Sequence, residues 1–567
     1  MNPSTTGRPL IALIGNQLDV YQSHIATTLR DKLGREGYGL LFVSGGALKP
    51  DPHWDEAIPV IRNAIFTLAR KVEVDGYIVL TATVGGYASA ERLKHFSQEF
   101  THKPVVCIGS PVQGIASVQV DSYAGMSQLM EHITADASRR RLVFLQGPKD
   151  SPESCLRECA FRDALGLRGI PVDDTLIVYG NFNALEAYHA MDKLLSHTSN
   201  IDAVVAANDD MANGAIHALI KHGLRTPDDV IVSGFDDASA ATESLPPLST
   251  VRYSLDEIAL QAIQSLKTQM STGVYKSASN EPLSVPYSVV IRASTQPDVP
   301  GKIQTSTRNG PLVFDALKFK QKMLDNLSSL DVPFGLNLDL LVTEIVSRLV
   351  NCKQYKGNYL DDALADLHKR PADASWWRHL HEQITVYLQN CDDRGQSSDS
   401  LASTMIVLGQ IHKSIWSVER RIQVENALFY QGINRYQSRL SRAADMSEFT
   451  DIQNSLPEVF SIRSAFICVY DYFGGYPDEL ARLLYMYPPN CLNHDVSQVF
   501  PSTDILPGGF VNSDFVGPLI IEPICTGRTH LGYLVVDLHE LKHSVTANLP
   551  GLADTIASNL WRCLTCE

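Results

Sequence analysis

The hydrophobic pattern between residues 9 and about 297 alternates between strand-length apolar runs and stretches with helical spacing. In the clearest unit, an apolar run ends at Asn208, a helical stretch follows, and a second run, 230–232, leads to Asp236. Apolar runs that alternate with helices predict parallel sheets covered by helices on both faces. Two such series, separated near residue 142, predict two lobes with a cleft between them. Polar residues at the ends of such strands are where open α/β sheets hold ligands.

The pattern becomes purely helical after residue 312. Residues 298–312 are polar and predict a linker, and residues 313–445 have helical spacing. In the last helix, apolar residues recur at every seventh position: Leu401, Leu408, Ile415, Ile422, Phe429 and Tyr436. Such a repeat is typical of a helix that pairs with its copy, which predicts a homodimer. An ordinary bundle helix that covers a local core is the alternative.

Residues 446–567 have a third pattern, in which short strand-like runs are followed by a closing helix. The runs lie at 465–470, 483–487, 519–523 and 532–538, and the helix is predicted over 547–563. They predict an antiparallel sheet in an α+β domain. The predicted order is therefore a two-lobed α/β part over 9–297, a linker, a helical or coiled-coil segment over 313–445, and this α+β domain.

Composition narrows the classes of function. The net charge of −15 argues against a large nucleic-acid surface, because phosphate binding needs clustered Lys and Arg. The first residues lack the basic start and apolar core of an export signal, and no run approaches the length of a membrane span. We therefore expect a cytoplasmic protein with no membrane contact and no direct DNA binding.

Four stretches, in this order, resemble the sugar-binding sensor of the lac-repressor (LacI/GalR) family. They lie at 103–125, 140–165, 204–237 and 246–263, and the second reads RRLVFLQGPKDSPESCLRECAFRDAL. The resemblance implies a two-lobed, periplasmic-binding-protein-like fold that closes on a sugar or similar small polar effector. It also implies three chain crossings between the lobes, near 121, 248–253 and 282–286. Family repressors carry a DNA-reading helix-turn-helix before the sensor, and we do not expect one at that end here.

The same resemblance assigns the effector site. A sugar requires carboxylates and amides around its edge, an arginine fork and a flat aromatic wall. The matching positions are Asp121, Arg157, Phe182, Asn208 and Asp236, with Asp19, Tyr21 and Gln22 as weaker candidates from the other lobe. Each has a structural alternative: Asn208 and Asp236 as helix or turn caps, Arg157 as a helix-surface residue, and Phe182 as a core residue.

The phrases LPEVFSIRSAFICVYD, FPSTDILP and IIEPICTGRTHLGYLVVDL resemble a GAF-like domain, which follows such a sensor in some bacterial signalling proteins. This order implies a regulator that relays lobe closure through a dimeric helix to a transcriptional or signalling output. The alternatives are the sensory part of a diguanylate cyclase or histidine kinase, with its output domain elsewhere, or a binding protein without signalling. No catalytic set, metal or cofactor is predicted. Cys563 and Cys566 form a lone pair that we interpret as part of a frayed tail.

Overall fold

The computed structural model describes most of the chain and divides it into two units. The described residues are 9–49, 61–86, 88–238, 241–242, 244–274, 281–296, 320, 324, 336–350, 359–367, 377, 380–381, 384, 398–474, 476–488, 499–507, 519–527, 529–538, 543–546 and 548–566. One unit comprises Met1–Ala241, Leu245–Pro297 and Phe429–Glu567, and the other comprises Thr242–Ser244 and Asp298–Leu428. The predicted linker 298–312 lies outside the described residues.

Strands and helices alternate through the first half, as the apolar pattern predicts. The strands are β1 (Leu10–Gly15), β2 (Gly39–Ser44), β3 (Gly76–Leu80), β4 (Val105–Ile108), β5 (Ala116–Val120), β6 (Leu142–Gln146), β7 (Ile177–Tyr179), β8 (Ala203–Ala206), β9 (Ile231–Ser233), β10 (Thr250–Tyr253), β11 (Leu283–Val285) and β12 (Tyr287–Val290). The helices are α1 (Val20–Arg35), α2 (Ile65–Lys71), α3 (Thr81–Gly85), α4 (Ala90–Gln98), α5 (Ser122–Ile133), α6 (Pro152–Leu167), α7 (Ala184–Leu195), α8 (Asp209–Lys221) and α9 (Leu255–Thr272).

Two parallel sheets form the two predicted lobes. The first-lobe sheet has the order β11-β5-β4-β3-β1-β2, and the second-lobe sheet has the order β7-β6-β8-β9. Helices cover both faces of the first sheet, with Ile25 of α1 and Ile263 of α9 on one side and Ile65 of α2 on the other. The α/β fold class with parallel sheets is therefore confirmed.

The chain passes between the lobes three times, at the predicted places. It leaves the first lobe between β5 and α5, whose Met126 packs in the second-lobe core. It returns between β10 and α9, because Val251 belongs to the second-lobe core and Ile258 to the first. The third passage lies between β11, which pairs with β5, and β12, which pairs with β10 in an antiparallel ribbon.

The second unit is helical. It contains α10 (Leu338–Val350), α11 (Tyr359–Leu367) and the first part of a long helix, α12 (Ser398–Leu440). Five apolar residues of α12 are buried in a core that they share with α10 and α11: Val407, Leu408, Ile411, Ile415 and Val418. Leu408 and Ile415 of the seven-residue repeat therefore contribute to a core of their own chain, since period-seven apolar residues fit an internal bundle as well as a dimer seam. The predicted pairing of this helix with its copy stays a prediction.

The end of α12 belongs to the first unit, together with the last part of the chain. There, Phe429 and Tyr436 pack in a core built from the C-terminal helices and strands. The remaining elements are α13 (Met446–Gln453), α14 (Leu456–Phe460), β13 (Ile462–Gly474), β14 (Leu480–Tyr487), β15 (Val499–Pro501), β16 (Leu519–Thr526), β17 (Thr529–Leu538), α15 (His543–Thr546) and α16 (Leu549–Cys566). Strands β13 to β17 pair antiparallel with one another, as predicted.

The C-terminal strands do not form a separate sheet. Strand β16 pairs in parallel with β2 of the first lobe, with Leu519 opposite Leu41 and Ile521 opposite Val43. The result is one eleven-stranded sheet, in which the C-terminal strands have the order β16-β17-β13-β14-β15. The sequence pattern predicts an independent C-terminal domain and gives no sign of this junction.

The described helices include none that could cross a membrane.

Candidate functional site

The two predicted strand tips lie at the same end of the second-lobe sheet. Asn208 caps α8, because its Oδ1 accepts a hydrogen bond from the Met211 N–H at 3.0 Å, and its Nδ2 donates to the Phe182 carbonyl at 3.4 Å. Asp236 has a positive φ of 107°, and its N–H donates to the carbonyl of Val251 at 2.9 Å. A non-glycine residue with positive φ is uncommon and is over-represented at ligand sites. Asn208 therefore caps a helix and also lies, with Asp236, at the end of the sheet that faces the cleft.

Arg157 is buried at the centre of this group. Its Nη1 donates to the Ala207 carbonyl at 2.5 Å, and its Nη2 lies 3.5 Å from Asp236 Oδ1. The guanidinium carbon lies 3.7 Å from the centroid of the Phe235 ring and 5.9 Å from that of Phe182. Stacking on aromatic faces suits the planar, weakly hydrated guanidinium. The alternative that Arg157 is a helix-surface residue is therefore wrong.

Phe182 is half-buried, so one part of its ring remains accessible. Its backbone has a positive φ of 55°, and its ring lies against the backbone of Gly147. A Cβ atom at position 147 would lie 2.5 Å from the Phe182 ring, which only glycine avoids. The ring is thus held as a flat wall beside Arg157.

The first lobe contributes the start of α1. Asp19 caps this helix by accepting from the Gln22 N–H at 2.7 Å, and the fully buried Gln22 side chain donates to Asn16 and Asp19. Burial raises the pKa of Tyr21 above its usual range, and the negative charges of Glu153, Asp236 and Asp19 add to that rise. Glu153 and Asp236 belong to the second lobe, so their charges act on Tyr21 across the cleft.

Two direct contacts join the lobes beside these residues. Ser110 Oγ, just after β4, donates to the Glu153 carboxylate at 3.0 and 3.2 Å. Lys49 Nζ lies 3.4 Å from Asp150 Oδ2 on the surface. Asp150 and Glu153 flank the start of α6, the helix that carries Arg157. The lobes therefore touch at this end of the cleft.

Acidic groups outnumber basic ones around the site. Burial raises the pKa of Asp236 to about 6, Arg157 opposes this rise, and Asp210 and Glu153 increase it. Burial raises the pKa of Asp209 well above its ordinary value, although Thr250 Oγ1 donates to this carboxylate at 2.7 Å. A set of carboxylates with a single arginine presents mostly hydrogen-bond acceptors, which suit a ligand rich in hydroxyl donors.

Asp121 is exposed and caps α5 by accepting from the Ala124 N–H at 2.9 Å. Its neighbour Ser122 is buried, and Ser122 Oγ accepts from Arg157 Nε at 3.4 Å. At this crossing, the side chain beside Arg157 is therefore that of Ser122.

Several residues of the group were not predicted as site residues from the sequence. Asp209 and Asp210 follow the predicted tip Asn208, and Tyr253, whose hydroxyl donates to Asp236 at 3.4 Å, lies in the second predicted crossing. Asp209, Asp210 and Tyr253 could have been predicted, because each lies in or beside a feature that the sequence predicts. Ser110 and Glu153 could not, because nothing in the sequence indicates that they meet across the cleft.

No metal centre is found in the described part of the chain, where no three His, Cys, Asp or Glu side chains are placed to share an ion. Cys563 is buried in the C-terminal core rather than in a frayed tail, and its Sγ lies 3.6 Å from the Asp445 carbonyl oxygen.

The first half of the chain is similar to known proteins. Residues 132–295 match the family described as periplasmic binding protein-like domain. The HTH-type transcriptional regulator CelR of Thermobifida fusca is 33% identical over 144 residues, which cover 25% of this chain and 42% of that protein. The ribose operon repressor of Escherichia coli (strain K12) is 30% identical over 201 residues, which cover 35% of this chain and 59% of the repressor. The matches thus span about half the length of these relatives.

A solved structure described as the transcriptional regulator CelR–cellobiose complex is 23% identical, with a TM-score of 0.43, and covers 51% of this chain and 85% of that one. The sequence matches show a periplasmic binding protein-like domain in the first half of the chain, similar to the corresponding part of these regulators. These two relatives are named as a transcriptional regulator and an operon repressor.

Proposed function

We propose that this chain is a ligand-sensing regulator whose interlobe cleft binds a sugar or a similar small polar effector. The observation that carries the proposal is the position of Arg157, buried between two aromatic rings, paired with Asp236 and faced by Tyr21 of the other lobe. A charged group in such a place costs solvation free energy, so its retention favours a role in binding.

The surrounding groups match the chemistry of a polyol. Arg157 offers donors, the carboxylates offer acceptors for hydroxyl groups, and the half-buried Phe182 ring offers a flat apolar surface. With a pKa of about 6, Asp236 is mainly ionised at neutral pH and accepts charge-assisted hydrogen bonds. The proposed site comprises Asp19, Tyr21, Gln22, Asp121, Arg157, Phe182, Asn208 and Asp236.

The regulatory output is the second part of the proposal. The names of the relatives, a transcriptional regulator and an operon repressor, support control of transcription. We assign the sensor to residues 9–297, a linker to 298–312, a helical segment to 313–445 and a GAF-like domain to 446–567. A homodimer in the cytoplasm is part of this proposal, and the alternatives are the sensory part of a diguanylate cyclase or histidine kinase, or a binding protein without output.

Calorimetry on the full chain tests the effector site. A thermal-shift screen of mono- and disaccharides, including D-ribose and cellobiose, selects the sugar to titrate. Arg157→Ala and Asp236→Ala should each weaken its binding by about 2–5 kcal/mol, because each removes a charged partner in a closed cleft. The matched control is Arg162→Ala on the same helix, whose partners Glu158 and Asp174 lie outside the group. Unchanged affinity in both site variants would contradict the assignment.

A further inference from the structure

The junction between the first lobe and the C-terminal domain contains a buried charge cluster. Arg62 of the first lobe is 7% exposed, and its Nη2 donates to Glu522 Oε2 of β16 at 2.6 Å. Its Nη1 lies 3.7 Å from Asp554 Oδ1 of α16, and its Nε donates to the Gly45 carbonyl at 3.1 Å. One side chain thus joins the end of β2 to two elements of the C-terminal domain.

We propose that the C-terminal domain reads effector occupancy directly, through this junction, with Arg62 as the coupling residue. The inference rests on the proposed effector site and adds its regulation: the partner of the effector-binding lobe is a domain of the same chain, docked on the edge of the lobe's sheet. The signal path then runs through the β2–β16 pairing and does not need a paired helix.

The first line of contact runs through the backbone. The buried side chain of Gln22, in the proposed site, lies against Gly15, where an added Cβ would be 2.5 Å from Gln22 Oε1. The Gly15 carbonyl accepts from the Gly45 N–H at 3.0 Å, and the Gly45 carbonyl accepts from Arg62. Two hydrogen bonds, Gly45 N–H to the Gly15 carbonyl and Arg62 to the Gly45 carbonyl, therefore connect the backbone beside Gln22 to Arg62. A displacement of Gln22 on effector binding would be transmitted through them.

The second line of contact runs through Ser44, the last residue of β2. Its Oγ donates to the carbonyl of Asn16 at 3.4 Å, and the Asn16 side chain accepts from Gln22. Burial raises the pKa of Glu522, and Arg62 and the Ser44 hydroxyl oppose that rise. Ser44 therefore lies between the loop that precedes α1 and the buried carboxylate of the C-terminal domain.

A third contact joins α1 itself to the C-terminal domain. Ser23 Oγ lies 2.9 Å from Thr546 Oγ1 of α15, and both side chains are buried. Ser23 immediately follows Tyr21 and Gln22 in the proposed site. The short segment that would touch an effector thus also touches the domain that would respond to it.

These contacts differ from a chance surface contact in their energetics. A buried carboxylate that loses the cation it pairs with is costly, so displacements of Arg62 and Glu522 are expected to be coupled. A displacement of residues 16–22 must then be shared with β16 and α15. Contiguous packing is the physical basis for such coupling, and its existence is decided by perturbing one end and observing the other.

Hydrogen exchange on the full chain, followed by mass spectrometry without any ligand, provides that test. In Arg62→Met, exchange should accelerate on the order of tenfold at residues 519–526 and also at residues 15–23 of the proposed site. The matched control is Arg463→Met, which removes an arginine paired with buried Asp537 within the C-terminal sheet. This variant should accelerate exchange near β13 and β17 and leave residues 15–23 unchanged.

Two results would overturn the inference. One is unchanged exchange at residues 15–23 in Arg62→Met while residues 519–526 exchange faster; the other is an equal effect of both variants on residues 15–23.

Ser23→Ala, a smaller change, should accelerate exchange at residues 543–546 and 15–23, and it decides the question if Arg62→Met fails to fold. The sugar selected by thermal shift should slow exchange at 519–526 in the wild type but not in Arg62→Met. If no sugar binds, the proposed effector is wrong, and the ligand-free comparison still decides the coupling.

Discussion

Two of the arginine–carboxylate pairs in the first unit, Arg157–Asp236 and Arg62–Glu522, differ in what surrounds them. Arg157 and Asp236 lie 3.5 Å apart, and the Asp236 side chain is 29% exposed. Arg62 and Glu522 lie 2.6 Å apart, and the Glu522 side chain is not exposed at all. A ligand needs charged groups that retain accessible hydrogen-bonding capacity, whereas charged groups buried in a domain junction need an opposite charge beside them. The same residue types therefore suit the proposed binding in one place and docking in the other.

The stability of the junction gives the largest expected contrast. Arg62→Met should lower the free energy of unfolding by about 3–5 kcal/mol, because Glu522 is left as a buried charge without its cation. The measurement is the midpoint of urea unfolding. The double variant Arg62→Met, Glu522→Leu should recover much of the loss, since an apolar pair needs no solvation. If the double variant is as unstable as the single one, unpaired charge is not the cause.

The corresponding change in the cleft should cost less stability. Arg157→Met leaves Asp236 partly open to water and able to take up a proton, as its pKa of about 6 already permits. We expect a loss of about 1–3 kcal/mol in the same urea experiment, together with the loss of effector binding. A loss of stability as large as that of Arg62→Met would remove the distinction between the two pairs.

A third prediction concerns how the folding stability depends on pH through a buried histidine of the C-terminal sheet. His530 of β17 is fully buried, and neither ring nitrogen has a hydrogen-bond partner in the part of the chain that the structure describes. Burial lowers the pKa of His530 to about 3, and the charge of Arg62 adds to this. The pKa of a histidine in an unfolded chain is about 6.5. Between pH 6.5 and pH 3, the unfolded chain therefore binds a proton at His530 and the folded chain does not.

Stability should therefore fall by about 1.4 kcal/mol per pH unit as the pH drops below about 6.5. His530→Phe should flatten this slope in urea unfolding measured at pH 7, 6 and 5. The control is His24→Gln, at an exposed position on α1, which should retain the full slope. A slope that survives His530→Phe would assign the acid sensitivity to other groups.

Local patterns in the sequence were sufficient for much of the sensor. Continuous apolar runs located its strands, and the positions after those runs located Asn208 and Asp236, because parallel strands end at one edge of a sheet. Arg157 and Phe182 came from the family resemblance, since an arginine in a helix gives no sign of being buried. The cross-lobe pair of Ser110 and Glu153 was not predictable, because neither residue lies in a motif.

The junction was missed for a related reason. Strands β2 and β16 each look like an ordinary buried strand, and nothing in either run specifies a neighbour so distant in sequence. Glu522 interrupts the apolar run of β16, and it could have been noticed as a charge that needs a buried partner. Its partner Arg62 has no local pattern. The repeat in α12 shows the opposite difficulty, because its local period is clear but fits both a helix of the same chain and a helix of a second copy.

The smallest predicted effect concerns the pH dependence of effector binding. The pKa of Asp236 is raised, so this carboxyl takes up a proton more readily when folded, and the uptake itself favours folding as the pH falls from about 6 towards 4. Binding should change in the opposite direction, because an ionised carboxylate is the stronger acceptor and the better partner for Arg157. Affinity for the selected sugar should thus decrease between pH 7 and pH 5, by less than about tenfold, in calorimetry.

Asp236→Asn should bind more weakly at pH 7 and lose this pH dependence, whereas Asp229→Asn, a surface change in the same lobe, should keep it. A wild type whose affinity is flat over this range would mean that Asp236 makes no contact with the effector, and the cleft would then differ from the junction only in its exposure.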